Sequence, residues 1–305
     1  MTPFQLLTKF TMKYFPLPYG HDRLKEYLAP VPLNVGMQTT KLRGHDLKIS
    51  YDPYTYMGWM LYYRGTYEQA ILETCHALLE NGMNFADVGA NYGLYTLVAA
   101  QKVGDRGKVL SIEPQKQLVP IIEQNIKRNQ LRNVTLLNTA AGCRNSTSQL
   151  FRPSLTNDGQ ATLMLGSGEC SFGESETVSV KTLDELLTHC KINHLDGLKV
   201  DVEGAELTVL EGLQSQLRRD PPSFMFLEII ESHLARFGHT PQSVFSFLQD
   251  FRYRLAGYSR GRWINFSNAD EFRKNTRASS DVLAIHPTYR NSKCQTLLTG
   301  ITGIA

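Results

Sequence analysis

Two stretches carry residues whose types and spacing could do chemistry. The first, Phe85 to Gly93, reads FADVGANYG: an apolar run, an acid at Asp87, and glycines at 89 and 93 just before the helical pattern Leu94 to Ala100. Glycine permits positive φ and lets backbone approach a ligand, while a helix N-terminus offers unpaired N–H groups. The result is a cradle of the nucleotide-binding kind. Glu113 closes the next apolar stretch, KVLSIE, 24 residues beyond Gly89. That separation places an acid on ribose hydroxyls in a β-α-β nucleotide site.

GANYG lacks the middle glycine of GxGxxG, and Asp87 would repel a pyrophosphate. A carboxylate there suits a ligand with an ammonium end. S-adenosylmethionine has one, together with a ribose and an adenine.

The second stretch, Leu198 to Gly212, reads LKVDVEGAELTVLEG and sets Asp201 and Glu203 at the carboxyl end of a strand, where ligands bind in open α/β sheets. An acid opening a helix also stabilises the helix dipole by about 0.3–1 kcal/mol, so Glu203 has a purely structural explanation beside the functional one. A hydroxyl is a weak nucleophile until it loses its proton, and a carboxylate in reach can take it. Asp201 is the first candidate base, followed by Glu203 and Glu228. These acids should gather at strand ends and could instead orient hydroxyls or hold an oxygen-ligated Mg²⁺, although no metal site is assigned. His189, His194, His233 and His239 show no spacing to a carboxylate or cysteine that marks a catalytic pair.

The elements that must position these groups alternate. Strands are expected at 84–88, 108–112, 134–138, 197–202, 223–229, 253–257 and 281–285, and helices near 66–80, 92–102, 115–129, 205–218 and 241–251. This is an α/β doubly wound sheet. Residues 1–65 read as an N-terminal extension or cap, with a short strand near His45–Ile49 and an aromatic-rich connection from Tyr51 to Tyr63. Residues 66–290 form the main domain, with a polar loop or hairpin inserted at about 143–176, and 291–305 form a tail. Asp220-Pro221-Pro222-Ser223 resembles the tetrapeptide of amino-group methyltransferases acting on nucleic acids, but it stands after a helix, not after the fourth strand; the prolines there launch the fifth strand.

The 305 residues are 42% hydrophobic and 20% charged, which excludes disordered, collagen-like and coiled-coil classes. A net charge of +3 predicts no nucleic-acid or membrane partner, and no apolar run is long enough to span a bilayer. Cys75, Cys143, Cys170, Cys190 and Cys294 are odd in number and lack zinc spacing, as expected of reduced thiols in a cytoplasmic protein.

DVGANYG, SIEP, TLDEL at Thr182–Leu186, KVDVEGAE and FLE at Phe226–Glu228 occur in the order found in FkbM-type S-adenosylmethionine-dependent methyltransferases, which the chain resembles over residues 60 to 286. The resemblance implies a class I methyltransferase fold, seven strands with the last antiparallel, and methyl transfer to a hydroxyl of a sugar, glycolipid or secondary metabolite. By position it implies that Asp87, Gly89, Ala90, Asn91, Gly93 and Glu113 hold the cofactor and that Ala140 and Ala141 form the adenine edge. The segment 258–280 should leave the sheet beside the cleft, and Tyr258, Arg262 and Trp263 within it suit a lid over an anionic or glycosylated acceptor. A nicotinamide-dependent oxidoreductase and a non-catalytic cofactor-binding module remain alternatives.

Overall fold

In the segments NFADV, KVLSI, GLKV, FMFLE and DVLAI almost every residue is buried, the pattern of strands covered by helices on both faces. The structure is a computed structural model that describes residues 36–152, 160–166, 175–259, 261–276 and 280–288. The expected strands form as β3 (Asn84–Val88), β4 (Lys108–Ile112), β5 (Val134–Leu137), β9 (Gly197–Val200), β10 (Phe224–Glu228), β11 (Arg254–Ser259) and β13 (Asp281–Ile285). An eighth, β12 (Arg262–Phe266), extends the sheet, whose order is β12-β11-β13-β10-β9-β3-β4-β5. β13 runs antiparallel to both β10 and β11. Reversal of strand order around β3 and β9 creates the crevice in which such sheets bind ligands. This is the class I methyltransferase arrangement with a hairpin strand added at one edge.

Odd and even positions of the strands serve different cores. Phe85, Val109, Phe224, Phe226, Leu283 and Ile285 pack on the face covered by helices α2 (Gln69–Leu78), α3 (Leu94–Val103) and α4 (Val119–Arg128). Ala86, Leu110, Leu198, Met225 and Val282 face α5 (Leu183–His189), α6 (Glu206–Glu211) and α9 (Pro241–Asp250). Thr240 and Ser243 close α9 with a reciprocal capping box behind Pro241. The expected helix over 205–218 divides into α6 and α7 (Gln214–Arg219) at Gly212, whose missing Cβ leaves room for the Gly142 carbonyl.

The described residues 36–64 pack onto the first face of the sheet. β1 (Gln38–Lys41) and β2 (Lys48–Tyr51) form a hairpin, and the aromatic-rich connection folds as helix α1 (Tyr56–Arg64), capped by Thr55. Leu42, Ile49, Trp59 and Leu61 join the core of the first face. The fully buried Asn125 fixes this junction: its amide accepts from Ser50 N and donates to the carbonyls of Ser50 and Tyr92. The side chain thus links the cap to the glycine turn.

Two other regions flank the central alternation. Within 143–176, β7 (Ser146–Leu150) pairs with β8 (Glu176–Lys181), and β8 also holds the two-residue β6 (Ala140–Ala141). The segment 258–280 is not an open lid, because it returns as β12 and helix α10 (Ala269–Asn275). Trp263 is 7% exposed, packs on Phe226 and Tyr258, and donates its indole N–H to Thr74. Aromatic residues there complete the core. Among the described residues no helix is long and apolar enough to cross a membrane. Cys75, Cys143 and Cys190 are free thiols; Cys170, Cys294 and the 291–305 tail lie outside the described residues.

Candidate active site

The carboxyl ends of β3, β4, β9 and β10 border a cavity of about 560 Å³, within the usual range for a small-molecule site. The glycine turn forms one wall. Gly89 has φ 87°, and a Cβ on it would stand 1.8 Å from the Asp201 carbonyl oxygen, so only glycine lets β3 and β9 close here. Asn91 adopts φ 51° and lines the cavity with a buried Oδ1 that makes no hydrogen bond. Glu113 accepts the N–H of Asn91 at one oxygen and that of Gln115 at the other, both at 2.8 Å. Burial pushes its carboxyl up to about 7 against the pull of these N–H groups. Ala90, Ala140 and Ala141 also line the cavity.

Asp87 and Gly93 contribute differently. Asp87 is 1% exposed and turns away from the cavity, where Oδ2 accepts both N–H and O–H of Thr96 at 2.8 and 2.6 Å. Burial pushes its carboxyl up to about 6 despite those bonds. Its geometry is that of a clamp between β3 and α3, and a direct contact with an ammonium group is not supported. Gly93 caps α3 at φ 83° and packs on Ile122.

Asp201, Glu203 and Glu228 do converge on the cavity. Glu203 sits at φ 56° and is 8% exposed; burial raises its carboxyl and His233, whose Nδ1 lies 2.7 Å away, opposes that rise. Glu228 accepts from Ser280 Oγ and is held well above the ordinary carboxylate range by burial and by Asp201, Glu203 and Glu68. Tyr258, Arg262 and Trp263 do not reach this cavity: Arg262 is exposed on β12 and Trp263 is in the core. Hydrophobic packing holds Trp263, Phe266 and Phe272 of this segment in the core instead.

A family model described as the Methyltransferase FkbM domain matches residues 87–255. The chain belongs to the FkbM methyltransferase family. Its cofactor is S-adenosylmethionine. The chain is 34% identical over 70 residues to a probable cobalt-precorrin-6B C(15)-methyltransferase (decarboxylating) of Sulfurisphaera tokodaii, covering 23% of this chain and 36% of that protein. It is 36% identical over 59 residues to a protein-L-isoaspartate O-methyltransferase of Methanothrix thermoacetophila, covering 19% and 28% respectively. These matches span about a third of the relatives' lengths. Among solved structures, a precorrin-6y C5,15-methyltransferase from Geobacter metallireducens is similar over 72% of this chain and 90% of that one, at 15% identity and a TM-score of 0.40.

The residues of this FkbM methyltransferase fit the cofactor. Asn91 offers an unsatisfied acceptor inside the cavity, Gly89 leaves backbone open, and Glu113 presents a carboxylate at the end of β4. Glu113→Gln is expected to weaken S-adenosylmethionine binding about 10-fold or more, the worth of a charge-assisted hydrogen bond, as read by calorimetry. Unchanged affinity would remove Glu113 from the cofactor site.

The FkbM site also contains a charged group that the sequence reading passed over. Lys199 is 2% exposed, and its ammonium lies 3.1 Å from Asp201 Oδ2 and 5.1 Å from the centre of the Tyr95 ring. Burial alone would depress it, but Asp201, Glu68, Asp281 and Glu228 outweigh burial and hold it above the usual lysine value. Glu68 accepts from Tyr95 Oη at 2.8 Å, and burial pushes its carboxyl up to about 7. Two-residue alternation could have found Lys199, since KVD places it on the same sheet face as Asp201. Glu68 and His233 carry no comparable local signal.

Proposed function

We propose that the protein transfers the methyl group of S-adenosylmethionine to a hydroxyl oxygen of an uncharged, polyhydroxylated acceptor: a sugar, a glycolipid headgroup or a glycosylated secondary metabolite. One observation carries this reading. The described cavity wall combines the rings of Tyr54, Tyr56, Trp59 and Tyr67 with the carboxylates of Glu68, Asp201, Glu203 and Glu228, and includes no lysine or arginine. Aromatic faces stack on sugar rings and carboxylates accept from hydroxyls, whereas a phosphate or nucleic-acid backbone would meet repulsion. Residues 66–290 would form the catalytic unit, with the segment before them supplying the aromatic wall.

S-Adenosylmethionine supplies an activated methyl group when bound. Glu113 and Asn91 would hold its polar atoms beside the glycine turn, and Ala140 and Ala141 would provide an apolar edge. Asp201, kept in place by Lys199, accepts the proton of the acceptor hydroxyl, while Glu203 and Glu228 orient neighbouring hydroxyls. Alignment of the reacting oxygen supplies much of the remaining rate.

For Asp201→Asn, turnover should fall by about 10²–10⁴-fold with cofactor affinity within about 3-fold, because the amide keeps the shape and cannot take a proton. The measurement is S-adenosylhomocysteine formation against neutral glycosides, their phosphorylated counterparts and RNA. Methylation confined to the phosphorylated compounds or RNA would overturn the acceptor class, and full turnover in the variant would overturn the base.

A further inference from the structure

Glu203, Glu228 and His233 come from three separate elements: the turn after β9, the end of β10 and helix α8 (Glu231–Arg236). One ligand atom from each lies within 4.8 Å of the others. Glu203 is more than nine-tenths buried, and its Oε2 stands 2.7 Å from His233 Nδ1, both atoms sealed from solvent. Two ligand atoms at that separation can share an edge of one coordination sphere. With metal–ligand bonds of about 2.0–2.2 Å, neighbouring ligands in an octahedron stand roughly 3 Å apart and opposite ones somewhat over 4 Å.

The support is rigid. A Cβ on Gly204 would lie 2.2 Å from the His233 carbonyl oxygen, so the turn and the first coil of α8 are pressed together. Glu206 accepts the N–H of Gly204 and of Val202, fixing the loop that carries Glu203. Ligands mounted this way need little rearrangement to bind. Lys199 is engaged with Asp201, and Glu203 and Glu228 bring two carboxylates within 4.8 Å of the imidazole, with Arg236 a further cation acting on Glu203.

We propose that Glu203, Glu228 and His233 form a divalent-cation site in the floor of the cavity, taking a first-row ion such as Mn²⁺ through two carboxylate oxygens and one imidazole nitrogen. Mixed oxygen and imidazole donors favour that class over Mg²⁺. Three protein ligands leave positions open toward the cavity, where Asp201 also stands. An acceptor hydroxyl bound there would be acidified beside its base. The site itself does not depend on which acceptor is methylated.

The test is direct. Chelator-treated protein is titrated with MnCl₂ and free Mn²⁺ is followed by electron paramagnetic resonance, in the wild type and in the Glu228→Gln and His233→Ala variants, with S-adenosylmethionine affinity measured on the same samples. One Mn²⁺ per chain at micromolar affinity is expected, weakened at least 50-fold in either variant while cofactor affinity persists. No uptake by the wild type, or uptake equal in both variants, would overturn the site and leave an ordinary Glu–His pair. Loss of cofactor binding in the wild type would instead overturn the methyltransferase reading, so the two failures are separable.

Discussion

Gly89→Ala is expected to lower S-adenosylmethionine affinity by at least about 100-fold, or roughly 2.7 kcal/mol. A left-handed backbone costs an L-residue about 1–2 kcal/mol, and Gly89 has φ 87°. The new Cβ would also fall 1.8 Å from the Asp201 carbonyl oxygen. Asp201 cannot simply withdraw, because its N–H is bonded to Val88 O at 3.0 Å and its carboxylate to Lys199. Relief therefore parts the ends of β3 and β9, opening the cradle and displacing the proposed base together. Calorimetry and urea unfolding on the same variant would check this. Affinity within about 3-fold of wild type would show that the turn tolerates a side chain and that the close approach is unimportant.

Lys199→Met should lower unfolding free energy by about 3–5 kcal/mol near pH 8, the penalty for leaving a buried charge without its partner. Its pH dependence identifies the cause. Glu68 is raised to about 7 and Glu228 well above its ordinary range, in both cases chiefly by burial. Such groups take up protons on folding, so stability is fullest below their unfolded pKa of about 4.3 and declines as pH rises through the folded value. Lys199 lowers both carboxyls, and methionine removes that pull. The decline should then be steeper and extend to higher pH, so the deficit of the variant should shrink at pH 5. Urea unfolding at both pH values measures it. An equal deficit at pH 5 and 8 would assign the loss to packing.

What the sequence reveals here is local. Gly89, Glu113 and the acids of DVEG could be placed because a strand, a turn and a helix start follow one another within a few residues. Trp263 and Asp87 show where that logic stops. A tryptophan beside arginines reads the same whether it faces a cleft or Thr74, and the sheet edge decides. Asp87 beside a glycine turn suits an ammonium ligand equally as it suits Thr96, one helical turn into α3. Glu68 and Lys199 act on each other's charge although they stand more than 100 residues apart in the chain, a coupling that only the folded arrangement of α2 and β9 creates. His233 has a surface-like sequence context and gains its role from the turn pressed against α8.

The two tryptophans of the chain stand in unlike places. Trp59 lines the cavity through α1, whereas Trp263 is fixed between Phe226, Tyr258 and Thr74 and does not line it. The protein thus carries its own optical probe and its own reference. A molecule entering the cavity should perturb the emission of Trp59 more than that of Trp263, so ligands that produce no heat and no product could be ranked by intrinsic fluorescence, without a label.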